Sequence, residues 1–373
     1  MTRGPEPRGV LHLIHKFDRR AGPDALVLGL LRDLDRRHWR PEVLLLDFAH
    51  FDAASLIEQA APADVPVAVL PWRRGRGLPG IVAALRRRIA RARIAVVHSH
   101  DIPCHLVMRL TRLAGFSRGP ATVASVHGHV DGTPRQRLWS RIARASLPGL
   151  DHVVIGSPAM RPHLGFLPPE RLSLIWNAVE VGHAAAPSAP PGGPLRLACL
   201  ARLSREKGHA VLLEAVRLAR DTGTALHLRI VGTGAEEPAL RAQSARLGLE
   251  DIVEFAGFVE DATDAIRGAD ALVLASLQES LPLSVLEAMI LGVPVITSAA
   301  GALPEVVADE VSGIVVPVGD AASLARAISR VAGDRALLAR FAVAGRERAL
   351  ARHSLPAFVA ATEALYDQLV AAR

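Results

Sequence analysis

Aromatic residues and cysteines are scarce in this sequence, and each shortage excludes a class of function. Phe, Trp and Tyr make up only 4% of the 373 residues, so a platform for stacking nucleic-acid bases is not expected, and no nucleic-acid recognition motif is found. The only cysteines, Cys104 and Cys199, lie far apart without metal-ligand spacing. They therefore predict two small core residues in a reducing compartment.

Long apolar segments are also lacking. No apolar run reaches the roughly 20 residues of a membrane helix. The first residues, M-T-R-G-P-E-P-R, lead into a short strand instead of the apolar segment of a signal peptide. We therefore expect a cytoplasmic protein that is at most peripheral on the inner face of a membrane.

Positive charge is concentrated in the first half of the chain. Residues 1–180 contain 26 Lys and Arg against 15 Asp and Glu, a net charge of +11, whereas the remainder carries −4. Arginines alternate with apolar residues in two segments, 85–93 and 134–144, a pattern typical of helices on a membrane surface. A solvated arginine face is the simpler explanation of either segment alone. Their clustering in one half nevertheless makes an anionic membrane surface a hypothetical partner.

The order of apolar and polar segments predicts two α/β domains. Short apolar strands alternate with helices over residues 9–178 and again from Leu195, which is typical of doubly wound parallel sheets. A chain of this length also exceeds the size at which one core stops growing. Residues 183–194, rich in Ala, Pro and Gly, predict a linker. We expect domains over 1–182 and 195–354, and a final helix in 355–373 packing back on the first domain.

Charged residues follow two predicted strands of the second domain. Glu279 and Glu287 lie eight positions apart, after the strand 271–274 and in the next helix. Arg202 and Lys207 follow the strand 195–200, before a helix N-terminus. Ligands of open α/β sheets bind at this strand edge. Two carboxylates can accept several sugar hydroxyls, and two cations can hold a diphosphate, although the cations alone also fit a solvated basic turn.

Other small-residue loops and histidines occur at the same type of position. Gly232 lies in V-G-T-G-A, which lacks the third glycine of a dinucleotide fingerprint and predicts a tight turn near the ligand edge. The loop 299–305 fits either a phosphate site or a plain turn. The histidines of H-S-H at 98–100 and H-G-H at 127–129 follow first-domain strands. Because no spacing completes a metal site, we interpret them as hydrogen-bonding groups.

Taken in order, these segments resemble the retaining, nucleotide-sugar-dependent glycosyltransferases of family 4. The resemblance runs over nearly the whole chain. It is carried by I-A-V-V-H-S-H (94–100), V-H-G (126–128), L-I-W-N-A-V-E (174–180), A-R-L-S-R-E-K-G (201–208), F-A-G-F-V (255–259), A-D-A-L-V-L-A-S (269–276), the E-x7-E motif from Glu279 to Glu287, and S-G-I-V-V-P-V-G-D (312–320). The resemblance implies the GT-B fold, in which two Rossmann-like domains face each other across a cleft.

The resemblance also implies a role for each site residue. Glu287 would bind the ribose, and Arg202 with Lys207 the diphosphate, in place of a metal. Glu279 would bind hydroxyls of the donor sugar. The other positions that it implies for the site are His127 at the reaction centre, the backbone amides around Leu283 and Ser284, and Gly22 of the first-domain loop, to which we add the turn at Gly232. No metal and no cofactor are implied beyond the nucleotide-diphosphate sugar, which is a co-substrate.

The implied activity is transfer of a hexose-type sugar to a lipid-linked or polysaccharide acceptor, in cell-envelope or exopolysaccharide synthesis. Alanine replaces residues usual in the family at four positions: Ala21, Ala178, Ala275 and Ala300. Ala21 affects the acceptor side and favours an alternative, a non-catalytic subunit that binds nucleotide sugar or serves as a scaffold. A nucleotide-sugar epimerase is a third and weaker alternative. The intact charges at 202, 207, 279 and 287 favour an active transferase.

Overall fold

The computed structural model describes residues 6–15, 22–47, 53–71, 77–115, 119–126, 134–179, 193–259 and 262–373. The chain divides into two compact units. The first consists of Met1–Asn177 together with Leu355–Arg373, and the second of Ala178–Ser354. Within the described residues, no helix is both long and apolar enough to cross a bilayer.

The first unit contains a seven-stranded sheet in the order β3-β2-β1-β4-β5-β6-β7, and every described pairing in it is parallel. Its strands are β1 (Arg8–Ile14), β2 (Trp39–Asp47), β3 (Val67–Pro71), β4 (Ile94–Ser99), β5 (Ala121–Val126), β6 (His152–Ile155) and β7 (Leu172–Leu174). Its first five helices are α1 (Gly22–Asp33), α2 (Ala53–Ala60), α3 (Gly77–Ala92), α4 (Ile102–Leu113) and α5 (Pro134–Ser146). The nearly continuous burial of β1 and β4 follows from helices covering both faces of a parallel sheet.

The second unit repeats this architecture with a six-stranded parallel sheet in the order β10-β9-β8-β11-β12-β13. The strands are β8 (Leu195–Leu200), β9 (Leu226–Val231), β10 (Val253–Gly257), β11 (Ala271–Leu274), β12 (Val295–Ser298) and β13 (Gly313–Val316). The helices are α6 (His209–Asp221), α7 (Glu237–Arg246), α8 (Ala262–Arg267), α9 (Leu283–Ile290), α10 (Leu303–Val306), α11 (Ala321–Gly333) and α12 (Arg335–His353). The two parallel, doubly wound sheets confirm the fold class predicted from the sequence.

The last helix, α13 (Leu355–Ala371), belongs to the first unit although it follows the second along the chain. Its apolar residues Leu355, Val359 and Leu365 share one buried cluster with strand residues of the first sheet. Tyr366, which is fully buried, contacts Trp39 edge to face with 5.4 Å between ring centroids. The helix therefore completes the core of the first unit.

The sequence patterns did not predict some of the helices and strands, and α12 shows why. Its buried face consists largely of Leu337, Leu338, Phe341, Gly345 and Ala349. Because the second half of that face is formed by Gly345 and Ala349, the apolar periodicity is too weak to mark a helix. Helices α2, α4 and α8 and strand β7 were not predicted either. The predicted linker falls mostly outside the described residues, whereas both cysteines are buried as predicted.

Candidate functional site

Loops from three neighbouring strands are joined at the carboxyl edge of the second sheet. The loop after β8 carries Glu206, whose backbone carbonyl accepts hydrogen bonds from the amides of Leu277 at 2.8 Å and Gln278 at 3.2 Å, in the loop after β11. The loop after β9 is joined to the first through the amide of Leu203, which donates to the carbonyl of Thr233 at 2.9 Å. These backbone contacts build one continuous surface at the edge where doubly wound folds bind ligands.

Two glycines permit the close approach of these loops. Gly208 has a left-handed φ of +67°, and a Cβ at this position would lie 2.0 Å from the carbonyl oxygen of Ala275. Gly232 has a φ of +139°, and its Cβ would lie 2.1 Å from the carbonyl oxygen of Ala201. A side chain at either position would push the loops apart. The structure thus places Gly232 directly after β9, in close contact with the loop after β8.

Lys207 and Glu279, both singled out from the sequence, form one buried ion pair. The Lys207 ammonium donates to Oε1 of Glu279 at 2.5 Å, and the two side chains are only 18% and 5% exposed. The hydroxyl of Ser276 donates to the same oxygen at 2.8 Å. The second carboxylate oxygen, Oε2, and two N–H groups of the ammonium have no protein partner in the described part of the chain. These groups can meet a polar ligand.

Arg202 lies in the same loop as Lys207 but in a different environment. Its side chain is 70% exposed and approaches Oε1 of Glu206 at 3.3 Å. The hydroxyl of Ser204 donates to that oxygen at 2.6 Å and is the main cause of the lowered pKa of Glu206. An exposed pair of this kind is worth little. The guanidinium is therefore easily recruited by an anion.

The remaining second-unit residues lie on α9. Leu283 and Ser284 are the first two residues of the helix, where backbone N–H groups have no intrahelical acceptors. Glu287 follows one turn later and is half-buried. The geometry thus offers amide donors and a carboxylate on one short helix. Such a helix start favours oxygen atoms with negative charge.

The first-unit candidates are less completely described. His127 lies outside the described residues, as do Ala21 and His129. Gly22 is the first residue of α1. The roles implied for His127 and Gly22 stay predictions.

The histidines of the first unit form a cluster that the sequence only partly indicated. His12 pairs in register with His98, and His100 follows two residues later on the same face. Parallel register therefore adds His12 to the group, and ring nitrogens of the three residues lie within 4.8 Å of one another. A metal ion would need a free lone pair from each ring.

The hydrogen bonds of this cluster leave little room for a metal. His98 places Nδ1 2.6 Å from the Tyr366 hydroxyl and Nε2 2.7 Å from Ser125 Oγ, so both nitrogens are engaged. Nδ1 of His12 lies 3.0 Å from Nε2 of His100. Burial lowers the pKa of His12 to about 3, so its ring is neutral. The cluster is a hydrogen-bonded group, as predicted for His98 and His100.

Two polar residues of the second-unit site were missed from the sequence, Ser276 and His209. Ser276 is fully buried in the loop after β11, two residues beyond the strand. His209 opens α6 directly after Gly208 and is 2% exposed, and its ring nitrogens have no hydrogen-bond partner among the described residues. Burial lowers its pKa to about 4. The one signal in the sequence that could have indicated His209 is its position directly after the E-K-G turn.

Two family models match consecutive parts of the chain. The model described as "Glycosyltransferase Family 4" matches residues 22–183, and the model described as "Glycosyl transferases group 1" matches residues 184–348. The two matches together run through both structural units. Their boundary falls in the segment that the sequence predicted as a linker.

Curated relatives match over part of their length. A putative colanic acid biosynthesis glycosyltransferase of Salmonella typhimurium is 34% identical over 167 residues, 42% of this chain and 41% of the relative. An amylovoran biosynthesis glycosyltransferase of Erwinia amylovora is 34% identical over 163 residues, 42% and 40%. A lipopolysaccharide core biosynthesis glycosyltransferase of Rhizobium meliloti is 29% identical over 229 residues, 60% and 65%. The matched part of the chain thus spans about two fifths of the length of the Salmonella and Erwinia relatives.

Solved structures match over nearly the whole chain. The Anabaena protein HepE in complex with UDP has a TM-score of 0.80 at 19% identity, covering 96% of this chain and 100% of that one. Its complex with UDP-glucose has a TM-score of 0.76 at 21% identity, covering 95% and 99%. A sucrose-phosphate synthase from Thermosynechococcus elongatus has a TM-score of 0.78 at 22% identity, covering 98% and 100%. At these identities the likeness shows a shared fold.

Proposed function

We propose that this chain, which belongs to the GT-B glycosyltransferases of family 4, moves a hexose-type sugar from a nucleotide-diphosphate sugar to a lipid-linked or polysaccharide acceptor. The observation that carries the proposal is the buried Lys207–Glu279 pair at the carboxyl edge of the second sheet. The curated relatives are named for colanic acid, amylovoran and lipopolysaccharide core synthesis. We therefore propose a role in cell-envelope or exopolysaccharide synthesis.

The donor is proposed to bind along the second-unit site. Arg202 and Lys207 bind the diphosphate, Glu279 the sugar hydroxyls and Glu287 the ribose hydroxyls. The amides of Leu283 and Ser284 lie in the first turn of α9, where backbone N–H groups have no intrahelical acceptors, and they add donors for the phosphates or the sugar. The complexes of the Anabaena neighbour contain UDP and UDP-glucose. Uridine diphosphate sugars are therefore the first donors to test.

The proposed chemistry is transfer with retention, driven by placement of charge. As the glycosidic bond breaks, negative charge grows on the diphosphate and positive charge on the anomeric carbon. Cations fixed in advance beside the diphosphate lower that barrier. A phosphate oxygen of the leaving group takes the proton of the acceptor hydroxyl on the same face of the sugar. The new bond joins the acceptor oxygen to the anomeric carbon, and His127 is proposed to contact the sugar there.

No metal is needed in this scheme, because two cationic side chains neutralise the diphosphate. The carboxylates are proposed to bind rather than to act as the acid and base of a hydrolase. Two donors already contact Oε1 of Glu279. Oε1 is thus an acceptor in two hydrogen bonds, the role of a binding group.

The acceptor is proposed to be presented at a membrane surface. The first unit carries the excess of positive charge, and Arg86, Arg87 and Arg91 are exposed on α3. We propose that the protein is cytoplasmic and peripheral on the inner membrane face, where anionic lipids attract such a helix. No nucleic-acid partner is proposed.

The decisive experiment measures nucleotide release. The purified chain is incubated with UDP-glucose, UDP-galactose, UDP-N-acetylglucosamine or GDP-mannose and a lipid-linked acceptor fraction, and free UDP or GDP is measured. We expect acceptor-dependent release with one donor, and a loss of at least about 100-fold in Lys207→Ala because the leaving diphosphate loses a fixed cation. Absence of release with every donor and acceptor would contradict the proposal.

A binding subunit without turnover is the second candidate, favoured by Ala21 in the loop where the family has glycine. Such a subunit would bind a nucleotide sugar, seen as a raised melting temperature, without releasing nucleotide. Ligand at 100 times its dissociation constant adds about 2.7 kcal/mol to stability. Binding without release would therefore select this candidate.

A further inference from the structure

We propose that Ser276 is a positioning residue that orients Glu279 toward the donor sugar and thereby sets the affinity for the sugar part of the donor. This inference rests on the proposed function. Ser276 Oγ donates to Glu279 Oε1 at 2.8 Å. The hydroxyl is fully buried, so this hydrogen bond does not compete with bulk water.

Ser276 is itself held rigidly. Its backbone carbonyl accepts a hydrogen bond from Ser298 Oγ at 2.6 Å, which ties the loop after β11 to the end of β12. The next two amides, of Leu277 and Gln278, donate to the carbonyl of Glu206. Backbone contacts on both sides thus fix the position of the Ser276 hydroxyl before any ligand binds.

Lys207 alone cannot fix the carboxylate in the same way. A lysine ammonium is a compact charge on a flexible four-carbon stem, whereas only one rotatable bond separates the serine hydroxyl oxygen from the backbone. Together the two donors occupy Oε1. The other oxygen, Oε2, has no partner in the described part of the chain and is left for a sugar hydroxyl. Loss of Ser276 Oγ would let the carboxylate rotate about its terminal bond, which has a broad torsional preference.

This arrangement separates two contributions to donor affinity. The nucleotide and diphosphate contact Arg202, Lys207 and Glu287 in the proposed function, and among the described residues Ser276 forms no hydrogen bond with these three side chains. The sugar contacts Glu279. The ratio of the dissociation constant of the nucleotide to that of the nucleotide sugar therefore reports the contribution of Glu279, and Ser276 acts on that ratio.

The test measures this ratio by calorimetry in the native chain and five variants, of which Ser276→Cys is described below. The ligands are the tightest binder among UDP-glucose, UDP-galactose, UDP-N-acetylglucosamine and GDP-mannose, and the matching UDP or GDP. The other proteins are the native chain, Ser276→Ala, Glu279→Gln, the double variant, and Ser329→Ala. The last removes a hydroxyl that bonds Thr224 at the opposite edge of the sheet. A hydrogen bond to a charged group corresponds to about tenfold or more in affinity.

We expect the ratio to fall about tenfold in Ser276→Ala with the nucleotide affinity unchanged, and to stay native in Ser329→Ala. The double variant should equal Glu279→Gln, because Ser276 acts only through Glu279. Ser276→Cys conserves the side-chain shape but has only a weak donor, so it should behave like Ser276→Ala. It replaces Ser276→Ala in the test if the alanine variant is unstable.

Three results would overturn the inference. An unchanged ratio in both Ser276 variants, with ligand binding retained, rejects the role of Ser276 and leaves the proposed function standing. Equal weakening of nucleotide and nucleotide sugar identifies a structural role instead. Failure of all four nucleotide sugars and both nucleotides to bind the native chain rejects the inference together with the proposed function.

Discussion

At the scale of single residues, the site depends on contacts between positions distant in sequence. Lys207 and Glu279 are 72 positions apart and yet form one ion pair in a buried setting. Breaking such a pair by removing one partner is costlier than its net contribution, because the other charge is left buried. The neutral substitutions Lys207→Met and Glu279→Gln should therefore lower the free energy of unfolding more than removal of an exposed charge such as Arg202.

Gly208 offers a direct test of the inter-loop contact. In Gly208→Ala the left-handed backbone costs about 1–2 kcal/mol, and the clash with the Ala275 carbonyl adds about 1–3 kcal/mol. Gly223 is a matched control, because its φ is +87° and nothing lies within 4 Å of a Cβ there. Urea unfolding should show the larger loss in Gly208→Ala, together with weaker nucleotide binding. Equal losses in both variants would show that the loops tolerate separation.

His209 gives the second unit a defined pH dependence. Its pKa falls from 6.5 to about 4 on burial, so the unfolded chain takes up the proton first as the pH is lowered. Stability should therefore be complete above pH 6.5 and fall between pH 6.5 and about 4, by up to about 3 kcal/mol from this residue. His209→Gln should remove that part of the slope in unfolding measured across this range. The exposed His227, changed to Gln, is the control, and identical slopes in both variants would contradict the assignment.

At the scale of elements, α13 is joined to the first unit by packing and by polar contacts. Tyr366 places its hydroxyl 2.6 Å from His98 Nδ1 inside the histidine cluster. Burial raises the pKa of Tyr366 well above its usual range, so the hydroxyl stays protonated. On the outer side, Asp367 pairs with Arg8 at the surface. Tyr366 is thus a buried polar anchor of the helix, and Asp367 is an exposed one.

The two anchors should differ in strength. Tyr366→Phe leaves His98 without its Nδ1 partner in a buried site, which costs about 1–3 kcal/mol. Asp367→Asn weakens only an exposed pair, worth about 0–1 kcal/mol. Urea unfolding should rank the two variants in this order, and hydrogen exchange should place the loss of protection in the first unit. A larger effect of Asp367→Asn would show that surface charge, rather than the buried hydroxyl, holds the helix.

At the scale of the whole molecule, charge is divided unequally between the halves. Residues 1–180 carry a net charge of +11 and the remainder −4. Part of the positive charge is used internally, since Arg88 pairs with Glu42 and Arg112 with Asp151. Arg87 and Arg91, one turn apart on α3, are exposed. They are two of the exposed arginines that we propose contact an anionic surface.

Vesicle sedimentation tests this contact. The doubly substituted Arg87→Gln and Arg91→Gln chain should bind phosphatidylglycerol vesicles about 30-fold more weakly, since each arginine near the surface contributes about 1 kcal/mol. The matched control replaces Arg340 and Arg352, exposed on α12, by Gln. Binding should also weaken with salt and vanish on phosphatidylcholine. Equal binding by the two substituted chains would reject α3 as the contact.

The sequence by itself determined the repeated strand and helix order, the parallel sheets, the loops that carry Arg202, Lys207 and Glu279, and the helix that carries Glu287. Local periodicity and composition contain that information, because strands buried on both faces and βα turns have characteristic residues. Helix α12 was not predicted, because alanine and glycine on its buried face weaken the apolar periodicity. The first-domain residue His127 lies outside the described residues, and its role stays a prediction.

Only the tertiary structure decided which side chains meet. The ion pair of Lys207 with Glu279, the hydroxyl of Ser276 on the same carboxylate, and the meeting of His12 with His98 all join distant segments. Strand order and register create these contacts, and neither is encoded in the spacing of residues along one segment. The sequence could therefore single out Glu279 as the carboxylate proposed to bind the donor sugar, whereas the fold decided how that carboxylate is oriented.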